Sequence, residues 1–205
     1  VSRDYDEYVN DPAHPVPYTA ETVTWYNRAF MLEDQRFASR RPDVLTYESE
    51  VLTEDFTVAG PIRVSLVVST TGTDADWIVK LIDVFPDTLE MGVGNPGPMP
   101  LGGYQMLVRG DVLRGKFRNS LAEPEPFRPG VPTSLAFTLQ DAFHTFRAGH
   151  RIMVQIQSSW FPMIDRNPGV FMDIFQASES DYHKTTQRVY RSPGRISALT
   201  VKRLR

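Results

Sequence analysis

Residues 149–167 read GHRIMVQIQSSWFPMIDRN. The first half alternates. Ile152, Val154 and Ile156 point one way, and Arg151, Met153, Gln155 and Gln157 point the other. A period of two over this length predicts a strand buried on one face. The pattern breaks at Trp160-Phe161-Pro162, and a polar run with Asp165, Arg166 and Asn167 follows. A central strand that delivers two aromatics and a charged cluster to its own end predicts a scaffold presenting a surface.

Working outward, the same period recurs through most of the chain after Pro42. Val44–Tyr47 and Phe56–Ala59 are short β-prone runs, the second closed by Gly60-Pro61. Ile62, Val64, Leu66 and Val68 alternate with polar residues, as a half-buried strand does. Trp77–Phe85 is nearly continuous apolar, with Lys80 and Asp83 inside it, which places it mid-sheet. Tyr104–Leu113 alternates, as do Leu135, Phe137 and Leu139. His144–Gly149 reads as a turn into the organising strand, and 171–175, 188–191 and 196–201 read as further strands. Roughly eight to ten short strands with long irregular connections between them predict an all-β, two-sheet jelly roll.

Residues 1–24 carry Pro12, Pro15 and Pro17 and read as a proline-stiffened arm or an unstructured terminus. A short helix is expected around 30–39, stopped before Pro42. Trp25, Tyr26 and Phe30 either pack on the domain or face something outside it. The expected division is therefore an N-terminal arm over 1–41 and a β-sandwich over 42–205.

At 205 residues with 41% hydrophobic content the chain suits one large domain. A net charge of -3 gives no reason to expect nucleic acid or an anionic membrane as partner. No apolar run is long enough for a membrane span, and no signal peptide is visible. The absence of cysteine excludes disulfides and thiolate chemistry. The chain opens on Val1 rather than Met, which is expected of a piece of something longer.

Catalytic signatures are missing. There is no Gly-x-Ser-x-Gly, no His-Glu-x-x-His and no P-loop. His14, His144, His150 and His183 are scattered and read as structural. Gly92, Gly94 and Gly97 match a dinucleotide fingerprint, but Pro96, Pro98 and Pro100 forbid the helix it must open, so they belong to a long 86–103 loop. Asp74 and Asp76 are too few for calcium and read as turn residues. Asp83 needs a partner if buried, with Arg109, Arg114 or Arg118 in view. No catalytic, cofactor or metal residue is assigned. The best functional stretch is Trp160–Asn167, since aromatics beside Arg are usual interface anchors. The competing reading folds that loop back over its own sandwich, with Arg166 pairing Asp165.

Four segments together resemble the C-terminal jelly-roll domain of the X-Pro dipeptidyl-peptidase and cocaine-esterase family of serine hydrolases. They are 33–45 (EDQRFASRRPDVL) with Gly60-Pro61-Ile62, then 73–85 (TDADWIVKLIDVF), 104–120 (YQMLVRGDVLRGKFRNS) and 149–167. The nearest flavour is the α-amino-acid ester hydrolase and glutaryl/cephalosporin acylase branch. The resemblance implies a galactose-binding-like sandwich attached to an α/β-hydrolase domain that carries Ser-His-Asp acyl-transfer chemistry and would precede Val1. It implies that the sandwich packs on that catalytic domain and helps wall its cleft. Trp160, Phe161, Asp165, Arg166 and Asn167 are the expected contact residues, with Tyr104 and Gln105 as weaker candidates. Aromatic surfaces in the family also serve self-association, so a homo-oligomer is a further implied partner, and relatives are often exported. The alternative is a self-sufficient carbohydrate-binding module, which rests on fold analogy alone.

Overall fold

The structure is a computed structural model that describes residues 4–88 and 101–204. Among the described residues, nine strands form two antiparallel sheets. They are β1 (Tyr5–Asn10), β2 (Leu45–Glu48), β3 (Phe56–Thr70), β4 (Asp76–Val84), β5 (Gln105–Arg114), β6 (Thr133–Phe146), β7 (Arg151–Gln157), β8 (Thr185–Tyr190) and β9 (Ala198–Thr200). One sheet runs β1-β8-β3-β6, with β9 also on β3; the other runs β2-β7-β4-β5. The expected jelly-roll sandwich is the observed architecture, and β4 lies mid-sheet between β7 and β5.

Between the sheets, Ile62, Val64, Leu66 and Val68 of β3 meet Trp77, Val79 and Leu81 of β4 and Ile156 of β7. Each such side chain contributes about 1.5–3 kcal/mol by leaving water, so this layer dominates stability. The two runs 56–59 and 62–68, read as separate strands, are one strand. Gly60 takes a φ of +97° and the register slips between Gly60 and Ile62. A bulge absorbs the Gly-Pro pair that looked like a terminator. Strand β6 likewise runs on through His144 to Phe146, and the turn comes after it, at Gly149 (φ +87°). The expected 171–175 strand is loop, with a 3-10 turn at Ile174–Gln176.

The largest difference lies at the N-terminus. Tyr5–Asn10 is not an arm but the edge strand β1, paired along its length with β8. The segment after it crosses the outer face of the β2-β7-β4-β5 sheet. Tyr18, with Val23, Phe30 and Met31 packed around it, closes over Ile78, Ile82, Leu107, Met153 and Trp160 as a second apolar layer. The short helix is α1 (Arg36–Ser39), preceded by a 3-10 turn at Phe30–Leu32. Both faces of β7 are therefore buried: Met153, Gln155 and Gln157, assigned to solvent by the alternation, lie beneath this cover. The boundary expected at 41/42 cuts through the sandwich and its cover. Gly92, Gly94 and Gly97 of the expected 86–103 loop lie outside the described residues.

Candidate functional site

The loop leaving β7 is stitched to the N-terminal segment by main chain. Phe161 N donates to Val16 O and Tyr18 N to Phe161 O, both at 2.9 Å. Ser159 Oγ accepts from Val16 N at 2.8 Å, and Tyr8 and Ser158 share a hydroxyl contact at 2.7 Å. The Phe161-Pro162 peptide is cis. This ladder turns Trp160 inward and Phe161 outward.

Trp160 is 5% exposed. Its ring lies edge-on to Phe30 at 5.7 Å and over the Lys80 ammonium at 4.9 Å. Gly110 faces Lys80 across the β4–β5 ladder, and a Cβ there would sit 3.2 Å from both Lys80 Cγ and Trp160 Cη2. Only glycine leaves the indole its full seat. The expectation that Trp160 projects to another domain is corrected: this chain's own cover buries it.

Asn167 is also buried. Its amide donates to Asp74 Oδ2 at 3.1 Å and Asp76 Oδ1 at 2.8 Å, and its carbonyl accepts from Gly169 N at 2.8 Å. Arg114 clasps Asp76 through Nε (3.0 Å) and Nη2 (2.9 Å) and reaches on to Asp165 O at 3.1 Å. Asp74 takes Ala75 N and Lys116 N on its other oxygen. Burial first, and then the neighbouring Asp76 charge, pushes the Asp74 carboxyl up to about 6. Burial also pushes Asp76 up, against the pull of Arg114. The two carboxylates read as turn residues are thus a buried lock between β4, β5 and the loop, filled by protein donors.

Arg166 does not pair Asp165. It donates to Glu179 at 2.7 Å and Pro12 O at 3.1 Å and stacks on Tyr182 at 4.4 Å. Tyr104 is buried, with its hydroxyl donating to Leu32 O at 2.7 Å and its ring edge-on to Phe85. Gln105 is buried too, its main-chain oxygen accepting from Gln35 N at 3.0 Å. Of the expected surface residues, Phe161, Asp165 and Arg166 remain at the surface. They line a groove of about 360 Å³ with Pro15, Phe175 and Tyr182. Phe175, missed in the sequence because it looked like strand interior, is 82% exposed there.

Two further polar centres emerge. Asp83 is held by neither Arg109, Arg114 nor Arg118. His150 Nδ1 lies 2.8 Å from Oδ1 and His144 Nε2 lies 2.9 Å from Oδ2. The two histidines flank the β6–β7 turn, and that placement was the available signal. Lys80 is fully buried, with its amine 3.1 Å from Gln35 Oε1. Burial alone brings it down to about 7. Among the described residues no cluster of three or more His, Asp or Glu side chains is placed to hold a metal ion.

Two facing antiparallel sheets, an apolar cover and a polar lock beside one aromatic groove define a galactose-binding-like jelly-roll module. The chain belongs to the family described as the X-Pro dipeptidyl-peptidase C-terminal non-catalytic domain, whose pattern matches residues 7–200. It is 33% identical over 188 residues to the cocaine esterase of Rhodococcus sp. (strain MB1 Bresler), a match covering 92% of this chain and 30% of that protein. In structure it is similar to an α-amino acid ester hydrolase (TM-score 0.91, 44% identity, 98% of this chain and 33% of the other). It is also similar to an aminopeptidase from a marine sediment Thaumarchaeota archaeon (TM-score 0.91, 40% identity, 100% of this chain and 34% of the other). The chain spans about a third of the length of the relatives it matches.

Proposed function

We propose that this domain packs on the α/β-hydrolase catalytic domain of a longer serine hydrolase and helps wall its active-site cleft. The intact protein would hydrolyse acyl esters or amides, or release X-Pro dipeptides, and residues 1–41 would be the side from which the chain arrives. The observation that carries the packing role is the groove at the β7 end. Its floor is fixed by the Arg166–Glu179 and Arg166–Tyr182 contacts, yet it holds Phe175 almost wholly in water beside the half-exposed Phe161. Aromatics on a rigid base are what an interface needs. A carbohydrate-binding module would need exposed aromatics gathered at a pocket, whereas Trp77 and Trp160 are buried and the exposed Trp25 stands outside this groove.

The test is hydrolysis of a small amino-acid ester and an X-Pro anilide by this domain and by the full-length parent. The expected result is an inert domain and an active parent. Turnover by the purified domain that survives contaminant controls would sink the proposal.

A further inference from the structure

Strand β5 ends its sheet, and beside it lies a cavity of about 290 Å³. One side of this cavity is apolar. The cover brings Met31, the loop after β7 brings Trp160 and Met163, and β5 itself brings Leu107. Gly110 keeps the strand bare at this point, because the Cβ it lacks would stand 3.2 Å from Trp160 Cη2. No residue of this lining belongs to the groove at Phe161 and Phe175.

Arg109 and Asp111, on either side of Gly110, line the same cavity. Arg109 Nε donates to Asp141 O at 2.9 Å and its Nη1 to Val108 O at 3.0 Å. Both acceptors are main-chain carbonyls, and Nη2 has no hydrogen bond among the described residues. Asp111 Oδ1 accepts from Val112 N at 2.7 Å, and its Oδ2 has no partner among the described residues. Neither side chain makes an ion pair among the described residues, not even with the other. Residues two apart on a strand are separated by only about 7 Å. The cavity thus carries one cation and one anion, close together and uncompensated, beside an apolar wall.

A ligand with a single charge would satisfy one of these groups and be set against the other. A zwitterion answers both with charge-assisted hydrogen bonds. An α-amino acid holds ammonium and carboxylate on one carbon and adds a side chain for the apolar wall, where two methionines supply an adaptable surface. At about 290 Å³ the cavity lies at the low end of the roughly 300–1,000 Å³ range of small-molecule pockets, which suits one residue rather than a peptide. We propose that this pocket binds free α-amino acids with a large apolar side chain, the carboxylate at Arg109 and the ammonium at Asp111. The site is separate from the docking groove, and neither reading needs the other.

L-phenylalanine and three molecules that each lack one part of it separate the contributions, titrated by calorimetry and by saturation-transfer NMR. The ammonium is missing from 3-phenylpropionate, the carboxylate from 2-phenylethylamine and the ring from L-alanine. L-phenylalanine is expected to bind at least about tenfold more tightly than each of the three. Asp111→Asn should remove its advantage over 3-phenylpropionate and keep that over 2-phenylethylamine, and Arg109→Gln should do the reverse. Gln140 lines the cavity from an exposed position on β6, so Gln140→Trp should fill it and abolish binding of all four, with the unfolding midpoint monitored alongside. Equal affinity for L-phenylalanine and any of the other three, no binding at millimolar concentration, or full binding by a folded Gln140→Trp variant would each overturn the proposal.

Discussion

Lys80 Nζ sits inside the covered face with an amide oxygen and an indole ring as its near neighbours, and desolvation is what lowers its proton affinity. A lysine brought from its ordinary 10.5 to about 7 is protonated in the unfolded chain but not in the folded one between those two values. The unfolded state then binds more protons, so stability rises with pH across that window and the contribution is at its lowest below about 7. The full span corresponds to roughly 5 kcal/mol. Tyr8, whose hydroxyl is pushed up by burial, begins to act in the opposite sense only above about 10, where the unfolded tyrosine titrates. Urea unfolding between pH 6 and 9.5, compared between the natural chain and Lys80→Met, isolates the lysine, because the titration of Asp74 near 6 is common to both. Lys80→Met should be more stable than the natural chain at pH 6, by about 2 kcal/mol or more after allowing for the stranded Gln35 oxygen, and should flatten the rise. Parallel pH profiles for the two proteins would show that Lys80 is not buried in this way.

At the scale of elements, the lock between the start of β4, the end of β5 and the loop after β7 depends on one amide. Asn167 is the donor shared by both buried carboxylates. Asp74, held near 6 against an ordinary 3.8, binds its proton more tightly folded than unfolded. Its contribution to stability is present below the ordinary value and is lost as pH rises to about 6. Asn167→Ala should therefore cost about 2–4 kcal/mol at pH 7.5, where a charged, buried Asp74 loses the donor on its Oδ2 and keeps only Ala75 N and Lys116 N on Oδ1. The loss should be clearly smaller at pH 5, where Asp74 is protonated. Equal losses at the two pH values would mean that the amide holds the loop by some other means. These elements also mark how far sequence reasoning reached. Strands β5 and β7 and the second half of β3 followed from their period-two runs and β4 from its continuous apolar run, because both are local signals, and the two-sheet architecture followed from them. That β3 runs unbroken through Gly60-Pro61 did not. The cover was not legible, because Gln155 and Gln157 look solvent-facing until Tyr18, Phe30 and Gln35 arrive over them from more than a hundred residues away. For the same reason Trp160 and Asn167 passed as surface residues: their burial is set by residues 16–30 and by Asp74, not by their own neighbours.

For the whole molecule, the proposed docking turns on which face a catalytic domain would cover. The sandwich exposes several large aromatics, and exposure alone does not choose among them. Phe175 (82% exposed) stands in the groove beside Phe161, whereas Phe143 (78% exposed) stands on β6, outside that groove. In the isolated domain, Phe175→Glu and Phe143→Glu should each change stability by no more than about 0.5 kcal/mol, since neither side chain is buried. In the full-length parent the two should part. If the groove is covered by the catalytic domain, a glutamate at 175 places a charge in an apolar contact, which costs several kcal/mol unless the interface opens. The parent carrying Phe175→Glu should then unfold in two separated steps or at a lower midpoint, and its KM for an amino-acid ester should rise as the cleft wall loosens. Phe143→Glu should leave both unchanged. Calorimetry and steady-state kinetics on the three full-length proteins provide the comparison. Identical behaviour of the two variants would remove the groove from the interface while leaving the fold and the family membership untouched. A defect confined to Phe143→Glu would move the docking face to the outer side of the β6 sheet.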